Sequence, residues 1–212
     1  IWLHVGMLTV IGKKMSKSLG NFMTVRKFLK RHSPSALRLA FTRYHYRSPL
    51  DYTESVIAEA EQSLSLLSKF FAKLELVAAA RHKKAAPACT ALLSRANTKL
   101  NDALADDFNI PQAMGEIFTL VSKTHSIVWN ISAGEARTIA RFIQDTLDMF
   151  GIEIAVPKAP RTIRALVKQR ELLRIHKQFM HADALRKRIE SLGYKVEDTP
   201  VGPLVLKIPN SK

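Results

Sequence analysis

Lys14 and Lys17 stand three residues apart in the run Lys14-Met15-Ser16-Lys17-Ser18-Leu19-Gly20-Asn21. Two ammonium groups among small hydroxyl side chains, on a loop closed by a Gly-Asn turn signal, can shut over a polyphosphate. There they would neutralise charge as it builds on a leaving group. Ser16 and Ser18 would hold the loop's shape, and Gly20 would allow its movement. A loop rich in Lys and Ser is more often solvated surface, so the elements around the pair have to carry the argument.

Those elements follow in order. Trp2 to Ile11 alternates well enough for one or two short strands, turning near Gly6 and again at Gly12. Thr24 caps a short helix with Val25, Phe28 and Leu29 on one face, and Ser33-Pro34 starts the next. Spacing puts Leu37, Phe41 and Tyr44 of that second helix on its inner face. The segment Tyr44-His45-Tyr46-Arg47-Ser48-Pro49-Leu50-Asp51-Tyr52 sets arginine beside tyrosines. It reads either as an RNA backbone and stacking surface or as a packed domain junction, with the junction preferred.

From Thr53 the period is helical. Val56, Ala60, Leu64, Leu67, Phe71 and Leu74 form one stripe, and Leu92, Leu93, Ala96, Leu100 and Leu104 a second. Asp106 to Pro111 breaks the pattern, with Asn109 as the next cap. Met114, Ile117, Phe118, Val121 and Val128 make the third stripe. Ser132 and Glu135 form a capping box for a fourth helix carrying Ile139, Ile143, Leu147 and Phe150. Four amphipathic helices on short connections predict an antiparallel bundle. Ile152 to Pro160 reads as a linker. A basic helix over Arg161 to Lys177, a shorter one using Ala182, Leu185, Ile189 and Leu192, and a hairpin over Tyr194 to Ile208 complete the chain. The fold expected is mainly α, with a few short strands.

Charge is unevenly spread over the 212 residues, whose formal net charge is +15. Residues 1–50 hold ten Lys and Arg and no acid, whereas residues 51–155 are mildly acidic and residues 156–212 basic again. Two basic ends around an acidic middle suit two contacts with one long polyanion. No apolar run is long enough to span a bilayer, and no signal-peptide pattern is present, so no membrane partner is expected. The single Cys89 allows no internal disulfide and offers no metal-ligand spacing. The start at Ile1, in what reads as the middle of a strand, suggests a fragment or a processed product.

The lysine run resembles the KMSKS signature loop of class I aminoacyl-tRNA synthetases. The surrounding chain is similar to the C-terminal half of cysteinyl-tRNA synthetases at three further places. These are His45-Tyr46-Arg47-Ser48, Asp106-Asp107-Phe108-Asn109-Ile110-Pro111 and Glu197-Asp198-Thr199-Pro200. His4-Val5-Gly6-Met7 only imitates the family's HIGH motif, which lies far upstream of the lysine loop. The family often has Gly-Thr-x-Trp in the last strand, where this chain has Gly202-Pro203-Leu204-Val205.

The resemblance implies three parts: a catalytic-domain remnant over residues 1–52, a DALR-like tRNA-binding bundle over 53–155, and an anticodon module over 156–212. It implies ATP binding by Lys14, Met15, Ser16, Lys17 and Ser18, with Lys14 and Lys17 catalytic, and an adenylate pocket reached by Trp2 and His4. Arg43, Arg47, Arg186, Lys187, Asp198 and Lys207 are its candidates for touching tRNA. The activity implied is cysteine activation by ATP with Mg2+, followed by transfer to tRNA(Cys), by a cytoplasmic or organellar monomer. Zn2+ is implied for the parent enzyme, with ligands upstream of Ile1. The chain alone is expected to bind tRNA in a salt-dependent way without aminoacylating it. Two other readings remain, a cysteine ligase of thiol biosynthesis and a stand-alone RNA-binding helical protein.

Overall fold

The computed structural model describes residues 2–16, 18, 20–80 and 87–208. Strand β1 (Leu8–Val10) turns through Ile11 and Gly12 into β2 (Lys13–Lys14), and β3 (Leu50–Tyr52) lies parallel along the other edge of β1. Ile11 and Gly12 have φ of 52° and 70°, the pair of positive values that a two-residue hairpin turn requires.

Between β2 and β3 run α1 (Val25–Phe28), capped by Thr24, and α2 (Pro34–Thr42), capped by Ser33 with proline in its first turn. The inner face of α2 is not the one the spacing predicts. Ala36, Leu39 and Ala40 are buried, while Phe41 is 46% exposed. Helix α2 packs against the long α3 (Glu54–Ala79). Close approach there favours the face on which Ala36 and Ala40 flank Leu39, and leaves Phe41 at the rim.

The bundle comprises α3, α4 (Pro87–Ala105), α5 (Ile110–His125) and α6 (Ala133–Met149), with α3 packed on α6 and α4 on α5. One core joins Ile57, Leu67, Phe70 and Leu74 of α3 to Ile117 and Val121 of α5 and to Ile139, Ile143 and Leu147 of α6. Phe28 and Leu39 belong to the same core, so the segment after the lysine loop is welded to the bundle. Helix α5 stops at His125, and Val128 is buried from a 3-10 turn instead of from the helix itself. Asn109 accepts from the Gln112 amide, and both bonds of the Ser132–Glu135 capping box are made.

The stretch read as a linker is held in place. Ile152 is buried, the Glu153 amide donates to Ser35 Oγ at 3.0 Å, and Ser68 Oγ donates to the Ala155 carbonyl at 2.6 Å. Beyond it, α7 (Arg161–Ile175), α8 (Phe179–Ser191) and the antiparallel pair β4 (Tyr194–Thr199) and β5 (Gly202–Lys207) enclose a separate small core of Ile163, Val167, Ile189 and Val196. Leu192, expected on the inner face of α8, is exposed just past its end. Among the described residues, no helix is long and apolar enough to cross a membrane.

Candidate phosphate and nucleic-acid site

Lys14 ends β2, exposed, at the point where the lysine loop leaves the sheet. The loop's backbone is stapled from across its mouth by Asn21. Its amide nitrogen donates to the Lys14 carbonyl at 3.2 Å, and its Oδ1 accepts from the Ser16 amide at 2.9 Å. Ser16 Oγ and Ser18 Oγ lie 3.2 Å apart, and the Met15 amide bonds back to the Leu8 carbonyl at 3.3 Å. Gly20 takes φ of 65°, a value that glycine reaches without strain. Lys17 and Leu19 lie outside the described residues. Among those described, no carboxylate pairs with Lys14, so its charge faces solvent at the loop's edge.

The hairpin under this loop is tied to β3 by Asp51. Its Oδ1 accepts from the Gly12 amide at 2.9 Å and from Thr9 Oγ1 at 2.7 Å. These two bonds, the amide's first, hold the Asp51 carboxyl below the usual aspartate range. Residues 46–50 are held against the segment that leads into β1. The Gly6 amide donates to the Tyr46 carbonyl at 2.7 Å, and the Leu50 amide to the Met7 carbonyl at 2.9 Å. Trp2 and His4 are exposed on the extended stretch before Gly6, Trp2 at 93%.

Arg47 meets the turn between α4 and α5. Its Nε and Nη2 donate to the two Asp107 oxygens at 2.6 and 3.0 Å, and Tyr46 Oη donates to Oδ1 at 2.6 Å. His45 Nε2 lies 3.1 Å from the Asp107 carbonyl. Asp107 and Phe108 adopt φ of 50° and 53°, so the turn is bent to present this carboxylate. The Arg47 bonds, and then that from Tyr46, hold the Asp107 carboxyl down to about 2. The segment with arginine beside tyrosines is thus a junction, and Asp107 is its centre.

The other candidates divide. Arg43 pairs with Glu59 at 2.7 Å and Arg186 with Glu190 at 3.5 Å. Asp198 is gripped by Arg170, whose Nη1 and Nη2 donate to its oxygens at 2.7 and 2.9 Å, and by Arg174 at 3.3 Å. Arg170 is 0% exposed, which makes this the one fully buried charge among the described residues. Lys187 and Lys207 are exposed. The positioning roles of Asp51, Asp107 and Arg170 escape a reading of the sequence, because Gly12, Arg47 and Asp198, which they meet, lie 28 or more residues away from them.

A hairpin-mounted lysine loop, joined through a polar junction to a helical bundle, has counterparts among known proteins. A family model described as the tRNA synthetases class I (C) catalytic domain matches residues 1–62, and one described as the DALR domain matches residues 99–155. A solved LeuRS of Agrobacterium radiobacter K84, in ternary complex with tRNA and LeuAMS, shares the fold. Its TM-score is 0.56 at 19% identity, over 74% of this chain and 24% of that one. Through residues 1–62 the chain is similar to the class I aminoacyl-tRNA synthetases.

Within that class its similarity runs to cysteine–tRNA ligases. The relative so named in Oenococcus oeni is 37% identical over 213 residues, covering 98% of this chain and 45% of the relative. Those of Caldicellulosiruptor saccharolyticus and Thermococcus gammatolerans are 35% and 34% identical, each over 98% of this chain and 46% of the relative. The chain therefore spans about half the length of the curated relatives it matches.

Proposed function

We propose that this chain is the part of a cysteine–tRNA ligase that supplies the lysine loop and the tRNA-binding elements. The whole protein would join the cysteine carboxylate to the α-phosphate of ATP and then pass the cysteinyl group to the terminal adenosine of tRNA(Cys). It would act as a monomer in the cytoplasm. As the bond to the departing pyrophosphate breaks, its electrons stay on the bridging oxygen, and negative charge grows there. Lys14 and Lys17 are the groups that meet that charge, with the loop closing over the triphosphate. Mg2+ would accompany the ATP. Among the described residues no cluster of three or more His, Cys, Asp or Glu side chains could hold a metal ion. The zinc that the resemblance implies for the parent enzyme would be held by residues other than these, and no step is assigned to it.

The observation that carries the reading is the placement of Lys14, which is free of carboxylates among the described residues at the end of a strand fixed by Asp51 and Asn21. The test is ATP–pyrophosphate exchange in the intact protein of which this chain is a part. Lys14→Ala should slow exchange about a hundredfold without lowering the melting temperature. Exchange at the unaltered rate would overturn the reading.

A further inference from the structure

The β4–β5 hairpin has two faces. Val196 and Asp198 turn toward α7 and α8, while Lys195 and Glu197 turn the other way, as strand alternation demands. On that second face, between the hairpin and helices α3 and α5, lies an open cleft of about 900 Å³. It shares no side chain with the lysine loop or with the Arg170–Asp198 pair.

Its walls carry opposite chemistries side by side. Lys69 and Lys73 stand one helical turn apart on α3, and Lys195 and Lys207 come from the hairpin. The one acid lining the cleft, Glu197, is taken by Lys195 at 3.0 Å. Lys73 is held in position: its Nζ donates to His125 Nε2 at 3.1 Å and sits 5.7 Å from the centre of the Trp129 ring. Burial, and then the neighbouring Lys73 ammonium, lower the His125 pKa, so the neutral ring is the acceptor in this bond. Between these cations the surface is mostly apolar, with Leu66, Phe118, Leu206 and Ile208 beside the hydroxyls of Ser65 and Ser122, and Leu66 is 49% exposed.

A largely apolar floor ringed by four ammonium groups, of which Lys195 alone meets a carboxylate lining the cleft, fits a flat, weakly polar body with a strong anion attached. We propose that this cleft takes one unstacked nucleotide of an RNA strand, with phosphates on Lys69, Lys73 and Lys207 and the base against Leu66 and Phe118. A nucleotide seated there would bridge the bundle and the hairpin, which otherwise meet mainly where β5 touches α3. The proposal rests on the reading of this chain as a tRNA-binding part and names a contact within it.

The test measures binding of a fluorescently labelled tRNA(Cys) transcript by the full chain across a salt series. Lys69→Ala with Lys73→Ala should weaken binding at least tenfold at physiological salt. It should also flatten the slope of log affinity against log salt by about two. Leu66→Asn, which changes no charge, should weaken binding about fivefold. Arg95→Ala with Lys123→Ala, which removes equal charge from exposed positions elsewhere on the bundle, should change it less than twofold. Circular dichroism melting confirms that each variant is folded, and Lys207→Ala repeats the cleft test from the hairpin side. Cleft variants no weaker than the Arg95/Lys123 control overturn the site. A loss with the lysines but none with Leu66→Asn overturns the base pocket, since phosphate tracking alone explains it. A wild-type chain that binds no tRNA overturns the broader functional reading first, and this inference with it.

Discussion

Asp51 accepts a hydrogen bond from the Gly12 amide at 2.9 Å, and through it the strand that follows α2 fixes the hairpin that carries Lys14. The carboxylate reads the hairpin turn from a neighbouring strand, so the lysine loop inherits its position from residues 39 places further along. Asp51→Ala should therefore loosen the turn without unfolding the bundle. Amide hydrogen exchange at Gly12 should accelerate at least tenfold, while the melting temperature of the bundle stays within a few degrees. Unchanged protection at Gly12 would show that the turn holds itself. Because its partners keep the Asp51 carboxyl ionised below the ordinary aspartate range, the wild-type anchor should survive mild acid.

The Arg47–Asp107 junction makes a prediction in acid. The folded-state value of Asp107 is depressed to about 2, against an ordinary aspartate value near 3.9 in the unfolded chain. Its contribution to stability is complete above about pH 4 and is lost as the pH falls toward 2. Asp107→Asn removes that contribution at neutral pH, so the variant should melt at a lower temperature than wild type at pH 7. The two melting curves should converge as the pH is taken down to 2. A gap that stays constant over this interval would assign the effect to the bent backbone of the turn.

Much of this architecture was open to reading. The caps at Thr24, Ser33, Asn109 and Ser132 are local, a side chain meeting an amide three residues on, and local rules recover them. The stripes of α3, α5 and α6 were legible for the same reason: one face of each is buried by a large core. Helix α2 was misread because its periodicity offers two faces, and contact with α3 chose the one with Ala36 and Ala40. The lysine loop could be picked out in the sequence, and its role as a phosphate clamp stands as a proposal. The loop's supports could not be picked out, because Asp51 and Gly12, or Arg47 and Asp107, become neighbours only after the chain has folded. Arg170 is the extreme case, since nothing in a basic helix marks the single arginine that goes inside.

That arginine gives the third prediction. Arg170 is fully buried and its Nε finds no hydrogen-bond acceptor, so the guanidinium depends on Asp198 and Glu171 for compensation. Asp198→Ala leaves a buried cation short of its main partner, and the C-terminal module should lose about 3–5 kcal/mol. Arg170→Met with Asp198→Leu removes both charges and should recover most of the loss. Urea denaturation followed by the ring signal of Tyr194, beside that small core, reads the module by itself. A double variant as unstable as Asp198→Ala would mean that the site needs an ion pair and not merely a filled space.

Gly6 supplies the fourth. A Cβ on this residue would lie 2.0 Å from the Ser48 carbonyl oxygen and 2.3 Å from its carbon, closer than any real contact permits. The obstacle is backbone on both sides, so no side chain can swing away to make room. Gly6→Ala must push residues 46–50 from the segment entering β1, breaking the 2.7 Å bond from the Gly6 amide to Tyr46 and straining the one from Leu50 to Met7. The cost expected from such overpacking is about 1–3 kcal/mol. It should fall on the small sheet, because the core of the bundle lies elsewhere. Hydrogen exchange separates the two: the Leu50 amide should lose protection in Gly6→Ala while amides within α6 keep theirs. Equal loss at both would make the sheet and the bundle a single cooperative unit. The lysine loop could then not move without unfolding its support, and a loop that closes over its substrate would need a different hinge.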